Sequence, residues 1–156
     1  MADKTKMAII SIHGTLDMAY PPLILASTAA TMDIESAIFF TFYGLQILKK
    51  NAGESLKVSP IANPAMPMPV PNIIGAIPGM TAMATSMMKS MIKKNGVATI
   101  PEFISLCQEA GVRLIACQMT MDLFGFKREE MIDGLEYAGA AAYMEYAANA
   151  QIHLAF

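Results

Sequence analysis

The chain has 156 residues, 54% of them hydrophobic and 15% charged. That is enough for one folded domain with a real core, and it excludes a disordered tail or a highly charged coiled coil. Eleven Lys and Arg against thirteen Asp and Glu leave a net charge of -2, so no electrostatic footprint for nucleic acid is present.

Two cysteines do not make a disulfide framework, and the compositional oddity is fifteen methionines with no tryptophan. The opening Met1-Ala2-Asp3-Lys4-Thr5-Lys6 is short and charged, and the apolar run after it ends at His13-Gly14. That is the length of a strand rather than of a signal-peptide core, so the expected compartment is the cytoplasm, where thiols stay reduced.

The nearly continuous apolar run from Lys6 to His13 suits a strand buried on both faces, as in a parallel sheet. Gly14-Thr15 turns the chain into a helix over about Leu16 to Thr31, with Asp17 at its start and Pro21-Pro22 early. Glu35 to Phe42, β-branched and aromatic, reads as a second strand. Tyr43-Gly44 then leads into a short helix that ends at Lys49-Lys50.

From Val58 to Met88 no residue is charged, a stretch long enough to cross a bilayer. Pro60, Pro64, Pro67, Pro69, Pro71 and Pro78 fall inside it. Prolines at that density cannot continue a helix, and bare backbone in lipid is costly. The Met/Pro-rich insertion, at about 57–79, therefore reads as a loop: a lid, a contact between subunits, or a contact with a membrane surface.

Gly79 to Lys94 follows as a helix whose methionines, at helical spacing, belong to the core or an interface. Thr99-Ile100-Pro101-Glu102 is a capping box opening a helix to Ala110. Val112 to Cys117 is the third strand, Met119 to Phe124 a short helix broken at Gly125, and Lys127 to Leu135 another helix. Gly139 to Asn149 is an Ala-rich helix, and Gln151 to Phe156 the last strand. Strands alternating with helices predict one α/β domain over residues 1–156, with a parallel sheet and helices on both faces.

Sites in open parallel sheets form outside the carboxyl ends of the strands. The residues there are His13, Gly14 and Thr15, then Thr41, Phe42, Tyr43 and Gly44, then Cys117, Gln118 and Met119, and the terminal Phe156. Cys117 follows a strand and precedes a helix start, where backbone amides around Gln118-Met119-Thr120 favour thiolate; the plainer reading is a small buried hydrophobe. His13 becomes a base or a cation beside Cys117 if their strands are neighbours, and otherwise is a hydrogen-bonded strand-end residue. Asp122 is a helix charge or a pocket acceptor.

Cys107 lies inside a helix running antiparallel to the third strand, which puts it near the other end of the sheet. About five residues of roughly 3.3 Å each separate the two levels, too far for the roughly 4.4–6.8 Å that a disulfide spans. The two histidines and two cysteines lack zinc-ligand spacing, and no dinucleotide, phosphate-loop, CxxC or nucleophile-elbow motif occurs. No metal and no cofactor is expected.

Two blocks together resemble the DsrE/DsrF/DsrH-like family: Ile38-Phe39-Phe40-Thr41-Phe42-Tyr43-Gly44-Leu45 and Leu114-Ile115-Ala116-Cys117-Gln118-Met119-Thr120-Met121-Asp122-Leu123-Phe124-Gly125. The Met/Pro insertion between them and the Ala/Gly-rich helix after them fit the branch loosely labelled "peroxiredoxin family". Cys117 lacks the Pro-x-x-x-Thr/Ser-x-x-Cys approach of a peroxiredoxin, so that label is discounted.

The resemblance implies a flavodoxin-like three-layer α/β/α fold and a homo-oligomer. It also implies a sulfur relay in which Cys117 holds sulfane sulfur as a persulfide or thiosulfonate. The partners it implies are TusA-type sulfur carriers and rhodanese-like donors. The rival reading is a small-ligand-binding or adaptor module in which Cys117 is structural.

Overall fold

A computed structural model describes residues 4–58 and 77–156. The Met/Pro-rich insertion expected at about 57–79, with its expected roles as lid, subunit contact or membrane-surface contact, falls outside the described residues except at its two ends.

Five strands form one sheet in the order β4-β3-β2-β1-β5, every neighbouring pair parallel. They are β1 (Lys6–Ser11), β2 (Glu35–Phe40), β3 (Arg113–Cys117), β4 (Glu136–Ala138) and β5 (Ile152–Ala155). Successive side chains of a strand point to opposite faces. Met7, Ile9, Ile38, Phe40, Leu114 and Ala116 therefore feed one core, and Ala8, Ala37, Phe39, Ile115 and Cys117 feed the other.

Among the described residues the two faces are covered unequally. The first carries α1 (Leu16–Thr31) and α4 (Ile100–Glu109), with the 3-10 turn Phe42–Leu48 supplying Leu45, Ile47 and Leu48. The second is covered by α6 (Ala140–Ala147), through Tyr143, Tyr146 and Ala147. Handedness accounts for this. The chain steps in one direction from β1 to β4, and right-handed crossovers keep those connections on one face. The return from β4 to β5 runs the other way across the sheet and so places α6 on the opposite face.

Among the described residues the remaining α-helices are short or peripheral: α2 (Ala52–Ser55), α3 (Met80–Lys94) and α5 (Gln118–Phe124). α3 turns Ala84 and Thr85 inward, and the Thr85 hydroxyl accepts the Val58 amide at 3.0 Å. Met88 packs against the core, whereas Met83, Met87 and Met91 are exposed, so only part of the methionine pattern is core. The Thr99–Glu102 capping box is present, with the Thr99 amide donating to the Glu102 carboxylate at 2.6 Å.

The helix expected over Lys127 to Leu135 is not formed. Residues Arg128–Glu130 make a 3-10 turn, and the chain then pairs with the end of the 3-10 turn Phe42–Leu48 through an antiparallel bridge between Lys49 and Met131. Ile132 donates to the Leu48 carbonyl at 2.9 Å, and Met131 is buried. These contacts draw the segment out and, after Gly134 at φ 76°, feed the three-residue strand β4, which no sequence period announced.

Cys107 is buried between α4 and α1, with its thiol donating to the Leu23 carbonyl at 3.5 Å, and both cysteines are free. Burial pushes the Cys107 thiol up to about 11. An unfolded cysteine ionises near 8.5, so between these values the folded chain holds a proton the unfolded chain has lost. Stability therefore falls as pH rises through that window, by about 3 kcal/mol once both states are ionised. Urea midpoints measured from pH 8 to 11 should fall less steeply in Cys107→Ala than in the parent chain.

Candidate functional site

β3 ends at Cys117, whose extended backbone makes it the N-cap residue of α5. β2 lies beside β3 in the sheet, so the chain leaving β2 runs next to the start of α5. Thr41 is extended, and Phe42 then takes the left-handed region at φ 48°, an uncommon conformation for a residue with a side chain.

This turn brings the two segments into contact. The hydroxyls of Thr41 and Thr120 lie 3.1 Å apart, and the Phe42 amide donates to the Thr120 hydroxyl oxygen at 3.3 Å. Thr120 is fully buried and Cys117 is only 3% exposed. Cys117 faces the second core, in the cluster where Phe39 stacks on Tyr143 at 4.9 Å between ring centroids.

The Cys117 thiol is held below its ordinary range. Burial is the largest single influence and acts upward. Hydrogen bonds to the sulfur from the Thr120 hydroxyl, the Thr120 amide, the Thr41 hydroxyl and the Met119 amide together outweigh it. All four donors are neutral. They belong to the first turn of α5 and to the end of the neighbouring strand β2, with no side-chain cap bond formed by Cys117 itself.

The other expected residues take varied places. Met119 is exposed, and Gln118 donates from its side-chain amide to Asp122 at 2.8 Å while accepting from Arg128 at 3.1 Å. Asp122 is thus an exposed acceptor within α5 rather than a group facing the sulfur. Tyr43 is exposed and stacks on Phe124 at 5.7 Å, beside Phe42 and Phe126.

His13 is exposed on the loop after β1. The condition for its pairing with Cys117 is not met, because β2 separates β1 from β3 by two strand spacings, about 10 Å in all. Thr15 is the N-cap residue of α1, without a side-chain cap bond.

Gly14 and Gly44 knit the loops after β1 and β2 together. A Cβ on Gly14 would collide with the Tyr43 carbonyl, and one on Gly44 with the Ser11 carbonyl. The Gly44 amide donates to the Ile12 carbonyl at 2.8 Å and to that of Thr41 at 3.0 Å. Both glycines act on backbone packing beneath the site.

Sequence reasoning passed over the side chains of Thr120 and Arg128. For Thr120 a signal existed: a hydroxyl three residues after an N-cap residue sits on the side that faces back to it. Among the described residues no group of three His, Cys, Asp or Glu could hold a metal ion, and no helix is long and apolar enough to cross a membrane. A cavity of about 910 Å³ lies between α1, α3 and α4, lined by Tyr20, Ile92, Val97 and Leu106, and includes none of the expected site residues.

The fold and the site together define a class: a five-stranded parallel α/β fold with one buried cysteine at a strand's carboxyl end, where a helix begins. Residues 3–155 match the model of the DsrE/DsrF/DrsH-like family, and the chain belongs to that family.

It is 54% identical to "Sulfur carrier protein DsrE2" of Allochromatium vinosum, over 97% of this chain and 98% of that one. It is 35% identical to "Uncharacterized protein YrkE" of Bacillus subtilis strain 168, over 99% of each. Two solved structures share the fold. The YchN protein of E. coli has a TM-score of 0.57 at 12% identity, covering 97% of this chain and 99% of that one. MTH1491 of Methanobacterium thermoautotrophicum has a TM-score of 0.50 at 9% identity, covering 98% and 100%.

Substituting Gly44 by Ala should cost about 1–3 kcal/mol, because backbone rather than a flexible side chain must yield. Urea denaturation of Gly44→Ala beside the parent chain measures it.

Proposed function

We propose that the chain is a sulfur-relay protein of the cytoplasm that carries sulfane sulfur on Cys117 as a persulfide. The observation that supports this most is the Cys117 site itself: a nearly buried sulfur at a helix start, its thiol held below the ordinary range by the polar groups of Thr120, Thr41 and Met119 despite burial. A cysteine that only filled space would need none of them. The name of the Allochromatium vinosum relative, a sulfur carrier, points the same way.

In the loading step the Cys117 thiolate attacks the terminal sulfur of a donor persulfide or polysulfide. A new sulfur–sulfur bond forms on Cys117, the donor's sulfur–sulfur bond breaks, and the shortened donor leaves as a thiolate or hydrosulfide. No net oxidation occurs. Unloading reverses the step toward an acceptor thiolate. Rhodanese-like donors and TusA-type carriers fit these two positions.

Ile12, Phe42 and Tyr43 after β1 and β2, and Met119 and Leu123 on α5, are exposed apolar residues on the segments that leave the carboxyl ends of the strands. This apolar rim suits docking of such a partner and sheds water from a bound persulfide. On this reading residues 1–156 act as one domain, assembled with further copies of itself.

Incubation with polysulfide, followed by intact-protein mass, should show an adduct of about 32 Da, the mass of one sulfur. The adduct should map to Cys117, vanish in Cys117→Ser and persist in Cys107→Ser. A chain that takes up no sulfur, or takes it up on Cys107, would defeat the assignment and favour a binding module with a structural Cys117.

A further inference from the structure

The cavity of about 910 Å³ between α1, α3 and α4 has no part in the Cys117 site. Its volume falls within the roughly 300–1,000 Å³ of small-molecule sites. α1 contributes Leu16 and Tyr20, one turn apart, α3 contributes Lys89, Ile92 and Lys93, and α4 contributes Leu106.

The link between α3 and α4 extends the apolar wall. α3 stops at Gly96, whose φ of 65° lets the Val97 amide turn back to the Ile92 carbonyl at 3.0 Å. Such a helix end commonly pairs the two side chains, here Val97 and Ile92. Val97 and Leu106 both line the cavity and are 41% and 47% exposed, so apolar carbon faces water there.

The polar lining decides the charge of what fits. The Lys89 side chain is half-buried and fixed, its ammonium donating to the Gly53 carbonyl at 2.9 Å and the Glu54 carbonyl at 3.2 Å. Both acceptors are neutral, and an ammonium has three protons to give. Among the described residues neither Lys89 nor Lys93, one turn further on, forms an ion pair.

The lining carboxylates of α4 do not neutralise them. One Glu102 oxygen receives the Thr99 amide at 2.6 Å and the Thr99 hydroxyl at 2.8 Å, so that group caps its own helix. Glu109 is exposed at the end of α4, about 10 Å along the helix from Glu102.

We infer that this cavity binds a small amphipathic anion, an apolar chain that ends in one carboxylate. The chain lies against Tyr20, Ile92, Val97 and Leu106 and takes their carbon out of water. The carboxylate sits at Lys89 and Lys93. The site is separate from Cys117 and does not depend on how that cysteine is read.

Decanoate, decanol and decyltrimethylammonium present similar chains under an anionic, a neutral and a cationic head. Each is titrated, below its micelle concentration, into the full-length chain with labelled Ile, Leu and Val methyls followed by NMR. Decanoate should saturate at one per chain and move the methyls of Ile92, Val97 and Leu106. It should bind about fivefold more tightly than decanol, the worth of a partly exposed ion pair, and decyltrimethylammonium should bind most weakly. Lys93→Gln should lower the preference for decanoate over decanol about threefold. Val97→Glu and Leu106→Glu, at exposed positions, should each weaken decanoate about tenfold, since a second negative charge then meets the ligand. Cys117→Ser should bind decanoate as the parent does.

Shifts that do not saturate, or that fall on methyls away from the cavity, overturn the site. Decanol binding as tightly as decanoate, or an unchanged preference in Lys93→Gln, overturns the anionic head. Loss of decanoate binding in Cys117→Ser overturns the separation from Cys117. If a glutamate variant does not fold, the head-group series in the parent and in Lys93→Gln decides.

Discussion

Taking a sulfur out of water disfavours its charged form, and at Cys117 the hydrogen bonds of Thr120, Thr41 and Met119 must more than offset that loss. Much of the local architecture follows from this balance. A strand must end where a helix begins, so that free amides meet the sulfur. A second strand must end alongside, so that Thr41 can reach Thr120. The parallel pairing of β2 and β3, with Phe40 beside Ala116, brings both strands to the same level. An antiparallel pairing would have sent the two chain ends to opposite edges of the sheet.

The unequal covering of the sheet matters for the same sulfur. Three successive crossovers load one face with α1, α4 and the turn after β2, while the return to β5 leaves α6 on the other. Cys117 belongs to the lightly covered face, packed near Tyr143 and Ala147. Cys107 belongs to the heavily covered one and is pushed up to about 11. The two thiols share a chain and differ in chemistry because one lies in a helix interior, where backbone amides are already paired, and the other at a helix start, where they are not. Position relative to free amides, rather than exposure, separates them, since both are buried.

The sequence was most readable where a local rule sufficed. β1, β2 and β3 appear where continuous apolar runs place them, and the Thr99–Glu102 box opens its helix because both partners lie within one turn. Cys117 was legible because a strand followed by a helix start is itself a local pattern.

β4 was not legible. Its three residues are held by pairing with β3 and by the Lys49–Met131 bridge, contacts between segments distant in sequence. The helical expectation for Lys127 to Leu135 failed for that reason. The contact between Thr41 and Thr120 spans 79 residues and depends on strand order, which residue types alone do not state. The same order separates His13 from Cys117.

Neutral donors suit a sulfur that must be passed on. A fixed cation beside the thiolate would hold the charge strongly, and it would also attract each anion that the exchange releases. Hydroxyl and amide donors act over short range and fade once the charge has moved one bond outward, to the terminal atom of a persulfide. On the proposed function, charge held at Sγ before loading then lies nearer the apolar rim of Phe42, Tyr43, Met119 and Leu123, where it has fewer donors. A carrier that stabilises its empty thiolate better than its loaded form gives up its sulfur more readily to an acceptor that docks on that rim.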